Sequence, residues 1–411
     1  MPVPLHTRYK FYDPDNILWP AIGLYQDHLS RGRYTDLHSR RCIASVLHFG
    51  GWLRAEGIGL NAIDEDCVSR FLVGHLPTCG CRRPVPADLI LNRAAINALL
   101  RILRRNGLIP IAPPDNIEAE IGRFHVHMEE VWGLQRSTRD ERCRVIRRLL
   151  REHFDGASIE LGKISTASVR RFVLGTGERG THAIRFVGGS IRCYFRYRAM
   201  LGDQVTHLLH AVPRPACWRD AQLPEALSAT ALEQLLSAFN EPCPSRRRGY
   251  AIVRCLADLG LRSSEVVRLT LDDIDWKEGV VRLAAGKTRR SYVLPLSVTT
   301  GEAIVDYILH ERPETTRREV FVRHVAPLGE PVGRRVVQKA LHAAYARLGW
   351  DRSRVHILRH TLASRLVNSG VPMKQVADLL RHRSIDTTAG YTRLDDARLS
   401  AVALPWPGAI A

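Results

Sequence analysis

Acidic residues are in short supply in this chain. Its 42 Asp and Glu stand against 60 Lys and Arg, for a net charge of +18 and a pI of about 10.0. Lysine is scarcer still. It occurs only at Lys10, Lys163, Lys277, Lys287, Lys339 and Lys374, so 54 of the basic residues are Arg. Long apolar runs are missing: no stretch approaches the roughly 18 residues of a membrane span. The opening "MPVPLHTRYKFYDPDN" has no apolar core of the kind a secretion signal carries. Cysteine is present nine times, an odd number. Without an export signal that count argues against a disulfide framework. These absences predict a cytoplasmic protein with no membrane partner.

The 411 residues are enough for two or three domains. The basic excess runs along the chain and is not held in one tail, which suits a folded surface that neutralises phosphates. Nucleic acid is therefore the predicted partner. The preference for Arg suits bidentate phosphate contacts, although a GC-rich genome would give the same bias. One cluster, "HLPTCGC", offers His75, Cys79 and Cys81 as zinc ligands. Its spacing fits no common finger and no fourth ligand is evident, so thiols in a loop are expected and no metal or other cofactor.

Two proline-rich stretches, "IPIAPPDN" (109–116) and "VPRPACWRDAQLPEAL" (212–227), read as linkers. The first two segments resemble each other. Cys42 pairs with Cys143, Val68 with Val169, Arg70 with Arg171, Phe71 with Phe172 and Gly74 with Gly175, every time 101 residues apart. Tandem helical domains over 1–110 and 117–211 follow from that register. The third segment, 226–411, opens with a helix that Ser228 or Thr230 can cap. A second helix should end near Gly260. "VVRLA" and "SYVLPL" then alternate as two strands joined around "AGKTRR". Gly370 ends a later helix and Pro372 opens the next. The fold class expected is mainly α with a small antiparallel β-sheet in the last domain.

The polar residues of this third segment form a series. Arg262 follows a glycine turn in "LGLRSSEVVRL", and Glu265 lies three residues on, on one helical face. Lys287 sits at the hairpin tip, where a lysine can act as an acid and an arginine cannot. His356, Arg359 and His360 stand together in "VHILRHTLASRLVNSG", with His356 and Arg359 on one face. His382 and Tyr391 come last, in "LLRHRSIDTTAGYTR", where nothing apolar surrounds the tyrosine. Two arginines, two histidines, a lysine and an unburied tyrosine have a joint use, the transfer of a phosphodiester onto tyrosine. The arginines balance charge on the non-bridging oxygens, the tyrosine oxygen attacks phosphorus, and an acid protonates the departing 5′ hydroxyl.

At these residues the segment resembles the catalytic domain of the tyrosine recombinase (phage integrase) family. The matching stretches are "LGLRSSEVVRLTLDDID", "GKTRRSYVLPL" and "HILRHTLASRLVNSGVPMKQVADLLRHRSIDTTAGYTR". The resemblance implies Arg262, Lys287, His356, Arg359, His382 and Tyr391 as catalytic residues, Tyr391 being the nucleophile, with Glu265 and His360 in support. It implies one helical core-binding domain ahead of the catalytic domain, with 117–211 as its equivalent; the repeat makes 1–110 an extra copy, so tandem helical DNA-binding domains are expected before the catalytic domain. It further implies double-stranded DNA as partner, a homotetramer or a mixed tetramer with sister recombinases on paired sites, association with the nucleoid, and no need for metal or ATP. Integration, excision or transposition of a mobile element is the setting it suggests. A type IB topoisomerase-like activity and an accessory protein of a partner recombinase are the alternatives. One departure stands out: the family usually has Gly where this chain has Arg381.

Overall fold

Amphipathic helices carry most of the described residues, and short polar side chains start several of them. In the computed structural model, residues 15–81, 85–86, 88–110, 115–154, 158–177, 179–216, 225–283, 292–351 and 354–381 are described. The first helical body holds α1 (Ile22–Arg31), α2 (Asp36–Ala55), α3 (Glu65–Ser69) and α4 (Leu89–Arg105). Asp64 and Asp88 cap α3 and α4 by accepting from the amides of Cys67 (2.7 Å) and Leu91 (3.0 Å), which satisfies donors the helix itself leaves free. The second body holds α5 (Asn116–Glu130), α6 (Arg136–Phe154), α7 (Thr166–Leu174), α8 (Thr181–Met200) and α9 (Thr206–Ala211).

The 101-residue repeat has a packing counterpart. Cys42, Val68 and Phe71 are buried in one apolar core, and Cys143, Val169 and Phe172 in another. The copies part company after the third helix. Gly175 takes φ +70° and ends α7, whereas α3 continues as a π-helical turn over Arg70–His75. The chain forms two compact units, Met1–Ile109 with Asp220–Ala411, and Pro110–Arg219. Within the first of these, the Leu328 amide donates to the Gly32 carbonyl (3.0 Å) and Arg33 to that of Glu314 (3.2 Å). No local sequence signal announces that contact.

The C-terminal part contains α10 (Ala229–Ser237), α11 (Arg246–Asp258) and α12 (Ser263–Val266), then β1 (Ile274–Asp275), β2 (Val280–Leu283) and β3 (Tyr292–Pro295). It continues with α13 (Val298–His310), α14 (Arg334–Arg347), α15 (Ile357–Asn368) and α16 (Met373–Leu379). Ser228 caps α10 through the Ala231 amide (3.1 Å). Ala251, Ile252, Val253, Cys255, Leu256 and Ala257 are all buried on α11, which packs against α13, α14 and α15. A helix apolar on so many sides has to be central. The strands lie in the order β1-β2-β3, all antiparallel, with Val281 opposite both Ile274 and Leu294. Val281 and Leu294 are buried while Val293 faces solvent, the alternation that made β2 and β3 readable. The two-residue β1 is too short to alternate and was not expected. Pro372 stands at the cap position before α16, one place ahead of the first turn. The mainly helical fold with a small antiparallel sheet is as expected. Among the described residues no helix is long and apolar enough to cross a membrane.

Candidate active site

The site is built around Gly260. The chain leaves α11 and turns there with φ +56°, a conformation glycine adopts without a Cβ penalty. The space is tight as well: a Cβ at this position would lie 2.8 Å from Leu380 Cδ2 and 3.0 Å from Leu362 Cδ2. The end of α11, the face of α15 and the end of α16 therefore meet on one residue. Its carbonyl accepts from the guanidinium groups of Arg359 and Arg381.

Arg262 follows at the cap of α12. Its amide donates to Glu265 Oε2 (2.8 Å), its Nη1 to Glu265 Oε1 (2.8 Å) and its Nη2 to the Arg381 carbonyl (3.1 Å). The three-residue spacing read in the sequence is thus an ion pair, and Glu265 also reaches back to a free helix-start amide, as a capping glutamate does. Burial pushes the Glu265 carboxyl up, but Arg381, the Arg262 amide and the Arg262 guanidinium outweigh it and hold it below the usual carboxylate range.

Arg359 lies in the first turn of α15, 5% exposed, and donates to the carbonyls of Gly260 and Leu380. Two carbonyls use part of its five N–H groups. His356 stands at the N-cap position of the same helix, its side chain making no capping bond, and is exposed, while His360 is half-buried. Desolvation lowers the pKa of His356 first, and the charges of Arg359 and Arg262 lower it further. Desolvation also leads for His360, with His356, Arg359 and Arg354 adding to it. Both imidazoles are therefore held neutral near pH 7.

Arg381 gains a structural account. It has φ +55°, the left-handed region in which glycine is favoured. It is 6% exposed, and its guanidinium reaches Glu265 Oε2 (2.8 Å), the Gly260 carbonyl (3.2 Å) and the Leu379 carbonyl (2.9 Å). Glu265 is shared: Oε1 accepts from the Arg262 guanidinium, and Oε2 from the Arg262 amide and the Arg381 guanidinium. Three guanidinium groups and one carboxylate leave a surplus of positive charge, which is the electrostatics an anion needs.

The structure thus brings Arg262, Glu265 and Arg359 onto one floor, with His356 and His360 close enough to feel those charges. Lys287, His382 and Tyr391 lie outside the described residues. The sequence reading did not include Gly260 in the site. Its signal was a glycine closing an apolar helix just before the arginine. Elsewhere, the absence of a fourth partner for His75, Cys79 and Cys81 is corrected: His48 on α2 brings a ring nitrogen to them, and the four ligand atoms lie within 4.8 Å of one another.

The chain is similar to several known proteins. The sequence model of the phage integrase family matches residues 225–398. The protein of Sinorhizobium fredii that bears the name integrase/recombinase y4rA is 33% identical over 383 residues, covering 91% of each chain. Tyrosine recombinase XerC of Halalkalibacterium halodurans is 34% identical over 187 residues, 44% of this chain and 61% of that one. Among solved structures, the XerH site-specific recombinase bound to a palindromic difH substrate has TM-score 0.54 at 18% identity, covering 71% of this chain and 96% of that one. A lambda integrase dimer bound to a core site has TM-score 0.52 at 17% identity, over 68% and 96%. The fold is shared with both, and with y4rA matched along nearly its full length this chain belongs to the phage integrase family of tyrosine recombinases.

Proposed function

We propose that the chain is a site-specific DNA recombinase that cuts and rejoins duplex DNA through a 3′-phosphotyrosyl intermediate. The observation that carries this reading is the floor of Arg262 and Arg359, joined through Glu265, Arg381 and the Gly260 carbonyl, with neutral His356 exposed beside it. A phosphodiester over that floor would meet two cations, and the growing charge on its non-bridging oxygens would be balanced by groups already in place. The Tyr391 oxygen forms a bond to phosphorus as the bond from phosphorus to the 5′ oxygen breaks, and Lys287 supplies the proton the 5′ hydroxyl needs. Neutral His356 can accept a hydrogen bond from the attacking hydroxyl or donate one to a phosphate oxygen. His382 is assigned to the same phosphate. The phosphotyrosine keeps the energy of the broken ester, so rejoining requires neither ATP nor metal. Residues 117–211 and 226–411 are assigned to core-site binding and catalysis, and 1–110 to an additional contact with DNA or a partner. Relatives bearing integrase and recombinase names support DNA recombination. The setting we assign to it is integration, excision or transposition of a mobile element, with four chains acting on two paired sites.

The test uses a nicked duplex carrying the ends of the encoding element. Wild type should accumulate a covalent protein–DNA adduct and Tyr391→Phe none. Equal adduct from the Phe variant would overturn the nucleophile assignment. Joining of two separate sites, as opposed to relaxation of one supercoiled circle, distinguishes recombination from topoisomerase action.

A further inference from the structure

In the first helical body, four side chains with metal-binding atoms converge where the catalytic reading has no use for them. His48 comes from the middle of α2. His75 ends the π-helical turn that follows α3, and Cys79 and Cys81 lie just beyond it. His48 Nε2 stands 3.2 Å from His75 Nε2 and 3.3 Å from Cys79 Sγ, and His75 Nε2 is 3.6 Å from Cys81 Sγ. We propose that His48, His75, Cys79 and Cys81 form a structural zinc site that fastens the segment after α3 onto α2.

These three distances match those of ligands around a common centre. A tetrahedron with bonds of about 2.05 Å to nitrogen and about 2.3 Å to sulfur has edges of roughly 3.3 Å between nitrogens and roughly 3.5 Å between nitrogen and sulfur. Hydrogen bonding accounts for the cluster less well. A ring nitrogen offers one lone pair or one N–H, yet His48 Nε2 faces both His75 and Cys79. Two imidazoles with two thiols are a donor set that selects zinc among common divalent ions. The Cys81 amide lies 3.4 Å from Cys79 Sγ and donates toward it, the sort of second contact that stabilises a bound thiolate. The Phe71 ring lies 5.5 Å from that of His75 and 5.3 Å from that of His48, giving the site an apolar wall.

The repeat sharpens the inference. At the 101-residue offset, His48 corresponds to Leu149, a fully buried core residue, and His75 to Thr176. The second body therefore keeps the fold without these ligands. The first body alone widens its third helix into a π turn, a feature frequent at functional sites, and that turn carries His75 to His48. The local departure from the repeat and the ligand set coincide.

The experiment uses the full chain, purified without chelator from zinc-supplemented medium. Elemental analysis should find one zinc per chain, and cobalt substitution should give the visible bands of tetrahedral thiolate coordination. The Cys79→Ser/Cys81→Ser double variant should lose both signals while keeping the wild-type helical circular dichroism. Chelation should raise hydrogen exchange over 70–81 in the wild type and leave the variant unchanged. His48→Leu copies the residue of the second repeat, so α2 stays packed, and it should alter the cobalt spectrum. Iron in place of zinc, no zinc retained, zinc undiminished in the double variant, or a cobalt spectrum unmoved by His48→Leu would each overturn the assignment.

Discussion

At the scale of single residues, Arg381 shows two opposing terms at one position. A non-glycine residue in the left-handed region costs about 1–2 kcal/mol, and glycine would avoid it. Against that cost, the guanidinium makes a buried ion pair with Glu265 and donates to two carbonyls. Removing one member of a buried pair costs about 3–5 kcal/mol, less here because Glu265 keeps Arg262. Arg381→Ala loses the pair and retains the backbone cost, so it should destabilise the C-terminal part by about 2–3 kcal/mol. Arg381→Gly loses the same contacts but relieves the backbone, and should lie about 1 kcal/mol above the alanine variant. Urea titration followed by hydrogen exchange of α11 peptides measures both. Alanine equal to glycine would show that the left-handed backbone is not what separates them.

At the scale of elements, α11, α15 and α16 end or pass at Gly260, and the arginines of the site hang from that junction. Gly260→Ala would keep φ +56° and set its Cβ against two leucine methyl groups at 2.8 and 3.0 Å. Strain and overpacking together should cost about 1–3 kcal/mol. The larger effect belongs to chemistry, since the carbonyl that anchors Arg359 must shift, and small displacements of positioned groups slow reactions strongly. Adduct formation on the nicked duplex should fall by about 10-fold or more. Leu362→Ala added to Gly260→Ala removes one clash, so the double variant should lose less stability than the sum of the two single variants. A Gly260→Ala protein with wild-type adduct yield would mean the junction does not position the arginines.

The same elements mark what could be read from sequence and what could not. Arg262 with Glu265, and His356 with Arg359, were legible because helical spacing is a local property. Strands β2 and β3 were legible because their alternation is local too. The role of Arg381 was not, since its carbonyl meets Arg262 across 119 residues of sequence. Nor was His48, which is 27 residues from His75 and reaches it only because α3 widens. Lys287, His382 and Tyr391 rest on the motif order in the sequence.

At the scale of the whole molecule, a net charge of +18 favours phosphate and disfavours further protonation. His356 and His360 have folded pKa values below the ordinary one, and burial takes that of His324 down to about 4, with Arg248 adding to it. At these three groups the folded chain thus binds fewer protons than the unfolded chain as the pH falls below about 6.5. Stability from these groups is fully present above that pH and falls as the pH drops toward the folded values, so the melting temperature should be lower at pH 5.5 than at pH 7.5. DNA reverses part of this at His356. A phosphate over Arg262 and Arg359 cancels the charges that help hold the imidazole neutral, and its pKa rises on binding. Binding near pH 6.5 should therefore take up protons, on the order of a few tenths per chain, and affinity should increase as the pH falls. Isothermal titration in two buffers of different ionisation enthalpy measures the uptake directly. His356→Gln should reduce it while steep salt dependence persists, because the remaining phosphate contacts are unchanged. Proton release on binding, or the same uptake with His356→Gln, would remove His356 from the phosphate.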